Sequence, residues 1–387
     1  MKRAKRLEQI PPYLFAEIDR KRKTALAKGV DIISLGIGDP DQPPPANVID
    51  KLCQEAHIPK NHRYPDYEGS MEFRVAVAQW YRSRFEVELD PEHEVMALIG
   101  SKEGLAHICW AFLDSGDCAL VPDPAYPVYK THALLAGAVP HFMPLRADRG
   151  FLPDLESIDP EVARRAKLMF LNYPNNPTAG VATLEFFEEA VAFCRQYDIL
   201  LCHDSAYSEI TFDGYRAPSP LQVEGAKTLC IEFGSLSKPF NMTGWRLGYA
   251  VGSAEALGAL GVIKTNTDSG QFTAVQKAGI EALLGTSPGF SRELLETYHR
   301  RRDAAVEALR AIGLTVEPPK GTFYIWARVP DGYSSAEYAA ELLEKTGVIV
   351  SPGSAYGEAG EGYFRISLTV DDRRLSEAME RIRRLAR

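Results

Sequence analysis

The sequence has no CxxC pair, no block or stripe of basic residues, and no apolar run of membrane-spanning length. Each absence narrows what the chain can be. Its six cysteines (Cys53, Cys109, Cys118, Cys194, Cys202 and Cys230) all lie before residue 231, mostly in apolar runs. Without paired spacing they form neither a zinc site nor a disulfide frame, and no metal centre is expected. They read as buried, reduced thiols of a cytoplasmic protein. A net charge of −8 with no basic patch argues against a nucleic-acid partner. A membrane-spanning helix needs about 20 consecutive apolar residues, so no membrane partner is expected either. Residues 1–9 are charged and have no apolar core, unlike a secretory signal. Internal repeats and low-complexity linkers are also missing.

What remains is a chain of 387 residues, enough for two or three structural units. Apolar residues make up 45% and charged residues 25%, the balance of a soluble globular protein. Residues 12–28 read as a helix leading into a short strand, Ile32–Leu35. A Gly- and Pro-rich loop, Gly36–Pro45, follows, and a helix starts at about Ala46. Short apolar runs then alternate with helical patterns: Val95–Ile99, Cys118–Val121, Leu168–Leu171, Ile199–Cys202, Leu229–Phe233 and Leu247–Val251. Such alternation predicts an α/β unit with a mainly parallel sheet, over 46–287. A long charged helix over 288–312 opens a smaller α+β unit, 288–387. Its strands are predicted at Thr322–Val329 and Tyr363–Leu368, with helices near 335–345 and over 371–386. The N-terminal segment, 1–45, completes this smaller unit.

Chemistry-bearing motifs fall at the ends of the predicted strands, where ligands gather in open α/β sheets. In Ser235–Gly248, Lys238 sits among small hydroxylic residues and Arg246 follows eight positions later. That spacing suits a lysine holding an aldehyde cofactor whose phosphate is bound by Ser235 and Arg246. Asp204 follows the run Ile199–His203, and Tyr207 comes three residues later. A carboxylate there can keep a pyridine nitrogen protonated, or simply cap a helix. Asn176 lies in a rigid turn, Asn172–Gly180. Gly100-Ser101-Lys102-Glu103-Gly104 precedes an apolar helix, and backbone N–H groups at a helix start bind anions. It is not a P-loop, because the GxxxxGK[ST] spacing is absent. Lys102 can bind phosphate, point to substrate or be solvated. Tyr126 is an aromatic candidate for stacking on a ring, or a core residue. Arg365 is a charge inside a predicted strand. Such arginines usually face solvent, but its forked donors match a carboxylate.

Position by position, Ser235–Gly248 resembles the cofactor-lysine signature of class I aminotransferases, which use pyridoxal 5'-phosphate. The likeness runs from about Pro11 to Leu385, and the order Asn176, Asp204, Lys238, Arg365 is that of fold-type-I enzymes. It implies a seven-stranded, mainly parallel sheet between helices plus a smaller α+β domain. It also implies roles. Lys238 holds the cofactor and then shuttles a proton, Asp204 pairs with the ring nitrogen, and Tyr207 and Asn176 reach the ring's phenolic oxygen. Ser101, Lys102, Ser235 and Arg246 form the phosphate cup, and Tyr126 stacks on the ring. Arg365, with Gly38 and Asn176, receives the substrate α-carboxylate. Tyr64, in Arg63–Gly69, matches a tyrosine that a neighbouring subunit lends to the phosphate, which implies a homodimer with shared sites. One departure stands out: Ala179 occupies the place of the usual first glycine after Asn-Pro-Thr.

Three segments, Ile10–Phe15, Leu35–Asp41 and Gly100–Gly104, are similar to a narrower branch, the prokaryotic LL-diaminopimelate aminotransferases. These exchange an amino group between LL-diaminopimelate and 2-oxoglutarate in lysine biosynthesis. In that branch Tyr13 and Lys102 line the distal substrate pocket. The plant-type enzymes carry a glutamate where this chain has Tyr67, and the flanking Asp66 and Glu68 are the substitutes. Three other readings remain. One is a general glutamate-, aspartate- or alanine-linked aminotransferase. Another is a lyase or synthase using the same cofactor, such as a C–S lyase or an aminocyclopropane-carboxylate type. The third, a transcription regulator built on this fold, needs a helix-turn-helix, and none is seen.

Overall fold

A computed structural model of the chain describes residues 2–10, 14–27 and 29–385. Twelve strands occur among them in chain order. β1 is Ile33–Ser34, β2 Val95–Leu98, β3 Cys118–Asp123, β4 Val139–Pro144, β5 Ala166–Asn172 and β6 Leu200–Asp204. β7 is Cys230–Ser235, β8 Gly248–Gly252, β9 Tyr324–Arg328, β10 Val348–Ile349, β11 Ser351–Pro352 and β12 Tyr363–Ser367.

Seven strands form the central sheet in the order β2-β8-β7-β6-β5-β3-β4. β8 runs antiparallel to both neighbours, and the other pairings are parallel. Both faces are covered. One core includes Met96, Leu98, Ile108 and Phe233; the other includes Phe73, Met169, Leu171 and Leu201. A strand buried on both faces needs a continuous apolar run, which is why the sequence pattern finds six of the seven. It misses β4, Val-Pro-His-Phe-Met-Pro, because two prolines and a histidine break the run. β4 lies at the sheet edge, where missing N–H donors are tolerated.

Helix Ser101–Phe112 carries its N-terminus to the carboxyl end of the sheet. It lies close because Gly104 has no side chain: a Cβ there would sit 2.6 Å from Leu98 Cδ1 and 2.9 Å from Phe233 Cε1. A second sheet, β11-β12-β9, is antiparallel and shares one apolar core with helices Pro288–Arg310, Ser335–Thr346 and Asp372–Leu385. The last helix buries Leu375, Ala378, Met379 and Ile382, an apolar stripe at helical spacing. β1 pairs in parallel with β10, which ties the N-terminal segment to the C-terminal region. The helix expected over 12–28 is observed as Leu14–Ala27; residues 11–13 and 28 lie outside the described set. Other ends shift by a residue or two, as hydrogen-bonded ends do against sequence pattern. One cysteine departs from expectation. Cys53 is exposed on helix Ala46–Ala56, while the other five are buried. Burial pushes the Cys109 thiol up to about 12. No helix among the described residues is long and apolar enough to cross a membrane.

On the face of the central sheet opposite Asp204, a buried carboxylate ties three strands' surroundings together. Glu232 of β7 accepts from Tyr81, from Ser219 Oγ at 2.9 Å and from His203 Nδ1 of β6 at 2.8 Å. The His203 Nε2 accepts the Tyr173 N–H at 3.3 Å, which assigns the donating proton to Nδ1. A buried carboxylate that loses a donor keeps its desolvation penalty. Tyr81→Phe should therefore lower stability by about 1–3 kcal/mol while leaving the opposite face unchanged. Urea unfolding measures this, and a midpoint equal to that of the native chain would mean the Tyr81 bond contributes nothing.

Candidate active site

The carboxyl ends of the central strands surround a cleft of about 300 Å3. One end of it is built for an anion. Gly100, at φ +77°, turns the chain from β2 into helix Ser101–Phe112. A Cβ at Gly100 would lie 2.3 Å from Arg246 Nη2, so glycine lets the guanidinium pass. Ser235 ends β7, and its Oγ accepts from the Ser237 N–H at 3.2 Å. Arg246 itself is in the left-handed region at φ +56°, where a non-glycine backbone is disfavoured. Gln271 holds it there by donating to the carbonyl oxygens of Trp245, at 2.8 Å, and Arg246. Arg246 Nη1 also donates to Thr243 O at 2.9 Å. The hydroxyls of Ser101, Ser235 and Ser237, a helix N-terminus and a guanidinium thus line the cleft, the donor set a phosphate dianion needs.

The floor is Asp204, 5% exposed at the end of β6. Its Oδ2 accepts from Tyr129 Oη at 2.8 Å. Its Oδ1 is buried without a hydrogen-bond partner among the described residues. Burial pushes this carboxyl up to about 6, opposed by the Tyr129 hydrogen bond. Tyr129 is buried and stacked on Phe170, with ring centroids 5.1 Å apart. Asn172 joins the floor to the next loop, donating from Nδ2 to Asp204 O at 2.7 Å and accepting the Asn176 N–H at 2.8 Å. In that loop Ala179 adopts φ +58°. This explains why a glycine suits the position and identifies Ala179 as a strained substitute.

Lys238 projects into the cleft and donates from Nζ to Gly38 O at 2.9 Å. Burial brings its ammonium down to about 8, with the nearby Asp39 carboxylate opposing the shift. Arg365 is completely buried. Its Nη1 donates to Asn176 Oδ1 at 2.6 Å and its Nη2 to Gly36 O at 2.7 Å. Its guanidinium lies 3.9 Å from the centre of the Tyr324 ring and 5.0 Å from that of Tyr356. Tyr324 Oη meets Tyr207 Oη at 3.0 Å, and a Cβ on Gly38 would be 2.0 Å from Tyr324 Oη.

Gly38, Ser101, Lys102, Tyr126, Asn176, Asp204, Tyr207, Ser235, Lys238 and Arg246 all line this one cleft. Arg365 lies behind Tyr324 rather than on the wall. Tyr64 is 89% exposed in a surface loop and does not line the cleft of its own chain. Tyr13 lies outside the described residues. Sequence reasoning missed Tyr129, Tyr324, Asp39, Thr243, Ser237 and Asn172. Two had a signal available: Tyr129 is one helical turn past Tyr126, and Asp39 adjoins Gly38. The cleft fits pyridoxal phosphate. The orphaned Asp204 Oδ1 can receive a protonated ring nitrogen, the hydroxyl and guanidinium corner can take the phosphate, and Lys238, its ammonium brought down to about 8, lines the same cleft.

The family model for aminotransferase class I and II matches residues 30–382. The LL-diaminopimelate aminotransferase of Moorella thermoacetica is 59% identical over 385 residues, covering 100% of this chain and 98% of that protein. The enzyme of the same name from Halothermothrix orenii is 55% identical, covering 99% of this chain and 98% of that protein. Among solved structures, apo-BacF from Bacillus subtilis is 37% identical with a TM-score of 0.96, covering 100% of this chain and 99% of that one. A Thermus thermophilus aspartate aminotransferase mutant is 30% identical with a TM-score of 0.93 over the whole of both chains. With a cleft so furnished, this chain belongs to the class I and II aminotransferases and is a transaminase that works with pyridoxal 5'-phosphate.

Proposed function

We propose that this enzyme moves an amino group between LL-diaminopimelate and 2-oxoglutarate, a step of lysine biosynthesis. The observation that carries the reading is the full-length identity, 51–59%, to relatives bearing that name. In this reading Arg365, with Gly38 and Asn176, orients the α-carboxylate that both substrates share, and Tyr324 moves aside to admit it to the guanidinium. Lys102 serves the distal carboxylate, and Tyr13 belongs to the same distal pocket. Pyridoxal phosphate, when bound, supplies a carbonyl that accepts the amino group and a ring that withdraws electrons from the substrate α-carbon. Lys238 takes the proton from that carbon and returns it during exchange, a task suited to an amine poised near neutrality. Asp204 would hold the proton on the ring nitrogen of the bound cofactor, while Tyr207 and Asn176 would donate to its phenolic oxygen. Tyr126 would stack on the ring, and Ser101, Ser235 and Arg246 would hold the phosphate, leaving Lys102 to the substrate. Residues 46–287 carry the cofactor site. Residues 288–387, with 1–45, carry Arg365 and Gly38. The protein acts in the cytoplasm, as a homodimer in which the exposed Tyr64 of each copy completes the other's phosphate cup.

The substrate assignment is tested with each donor alone. LL-diaminopimelate and glutamate should each bleach the visible absorbance of the bound cofactor in a single turnover. Bleaching by glutamate but not by LL-diaminopimelate would leave a general glutamate-linked aminotransferase.

Tyr129 bears on Asp204 through pH. The folded protein raises the Asp204 carboxyl from 3.8 to about 6, so it holds that proton more tightly than the unfolded chain. In the cofactor-free protein, the stability this confers is full below about pH 4 and is lost as pH rises through about 6. Tyr129→Phe removes the hydrogen bond that opposes the rise, so the loss should continue to higher pH. Urea midpoints across this range measure it. An unchanged profile would count against Tyr129 as the group that keeps Asp204 ionised.

Sharing of sites is tested by mixing two inactive proteins, Tyr64→Ala and Lys238→Ala. Hybrid dimers contain one site with both native groups, so part of the activity should return. With subunit exchange demonstrated, no recovery at all would refute the shared site.

A further inference from the structure

We infer that Asp39 is the specificity-determining acceptor for the second ammonium of the substrate, an assignment that rests on the diaminopimelate reading above. The charges around the cleft motivate it. Lys102, Lys238 and Arg246 line the walls, and Arg365 lies behind Tyr324. Glutamate ends in a carboxylate, which such a cation-rich cleft favours. Diaminopimelate ends in a carboxylate and an ammonium, and the ammonium is repelled unless a carboxylate meets it. Among the described residues lining the cleft, the carboxylates are Asp39 and Asp204. Asp204 is buried at the floor and already bonded to Tyr129. Asp39 is exposed at the mouth, where a charged group has little solvation to lose before a ligand arrives.

The loop carrying Asp39 has the right course and is held still. Gly36 O accepts from Arg365 at 2.7 Å, and Gly38 O accepts from Lys238 Nζ at 2.9 Å. The chain thus runs from the carboxylate-binding arginine, past the reacting amine, to Asp39. Beyond it, Asp41 is clamped by Arg301, whose Nη1 and Nη2 reach its two oxygens at 2.8 Å each. Thr243 Oγ1 donates to Asp39 Oδ1 at 2.7 Å. A carboxylate offers about four lone-pair sites, so this bond orients the group and leaves capacity for an ammonium. The flanking candidates of the Tyr64 loop are placed differently. Within one chain Glu68 lines a separate groove with Glu92 and His93. It does not line the cleft of its own chain.

The test uses the holoenzyme and its Asp39→Asn variant, whose amide oxygen keeps the Thr243 bond. Three donors are compared in single half-reactions: LL-diaminopimelate, 2-aminopimelate and glutamate. The first two share a carbon chain and both carboxylates and differ in the second amine. Asp39→Asn should raise the half-saturation concentration for LL-diaminopimelate about ten- to a hundred-fold. Because Asp39 also opposes the fall of the Lys238 ammonium, a change common to all three donors reports on the lysine. The assignment is read from the loss for LL-diaminopimelate relative to 2-aminopimelate and glutamate, neither of which has a distal ammonium to lose. That ratio should be at least about ten-fold. A change of equal size for all three donors, or none for any, leaves no loss specific to LL-diaminopimelate and overturns the assignment. So does a selective loss found in Asp66→Asn or Glu68→Gln instead. If the unmodified enzyme does not use LL-diaminopimelate, the substrate reading itself fails, and this assignment falls with it.

Discussion

A guanidinium with no exposed surface has to be satisfied entirely from within, and Arg365 imposes that demand on everything around it. Burying such an ion costs several kcal/mol unless partners compensate. The compensation comes from three distant parts of the chain: Asn176 in the loop after β5, the carbonyl of Gly36, and the faces of Tyr324 and Tyr356. Satisfying Arg365 therefore fixes the Gly36–Asp41 loop over the central sheet. The same loop then meets Lys238 through Gly38 and Thr243 through Asp39. The loop after β5, the Gly36–Asp41 loop and, through Gly38, Lys238 are thus positioned around one buried charge.

Low polarity does the second part of the work. Burial moves two groups toward neutrality from opposite directions, Lys238 down to about 8 and Asp204 up to about 6. Each is held short of full neutralisation by a named neighbour, Asp39 for the lysine and Tyr129 for the aspartate. An amine and a carboxyl group whose titrations both approach the neutral range are products of this balance. The opposite face of the sheet carries its own buried carboxylate, Glu232, but there three donors converge on it and nothing is left open. The contrast between the satisfied Glu232 and the orphaned Asp204 Oδ1 distinguishes a structural acid from one awaiting a partner.

Eight non-glycine residues among those described have positive φ; some, such as Glu86 and Asp198, cap helices, and two belong to this neighbourhood. Arg246 and Ala179 both occupy the left-handed region, one beside the phosphate corner and one in the Asn172–Gly180 turn. Arg246 is restrained by Gln271, which offsets the conformational cost with hydrogen bonds. Ala179 has its backbone N–H bonded to Asn175 O at 3.0 Å, and the turn tolerates its methyl. A sequence departure from the family pattern is thus absorbed locally, without displacing Asn176 from Arg365.

Local order along the chain determined which segments become buried strands and which residues stand at their ends. A strand covered on both faces must be apolar throughout, and motifs such as Ser235–Gly248 lie within single strand-to-loop passages, so both are written in consecutive residues. The edge strand β4 escaped because exposure removes the need for an unbroken apolar run. Cys53 escaped because its side of helix Ala46–Ala56 is decided by what that helix packs against. Tyr129 beneath Asp204, Tyr324 beneath Arg365 and Thr243 against Asp39 join residues 75, 41 and 204 positions apart. No periodicity or spacing records such pairings. They arise when the chain closes over long separations, and there tertiary packing alone decides which polar groups are satisfied and which are left facing the cleft.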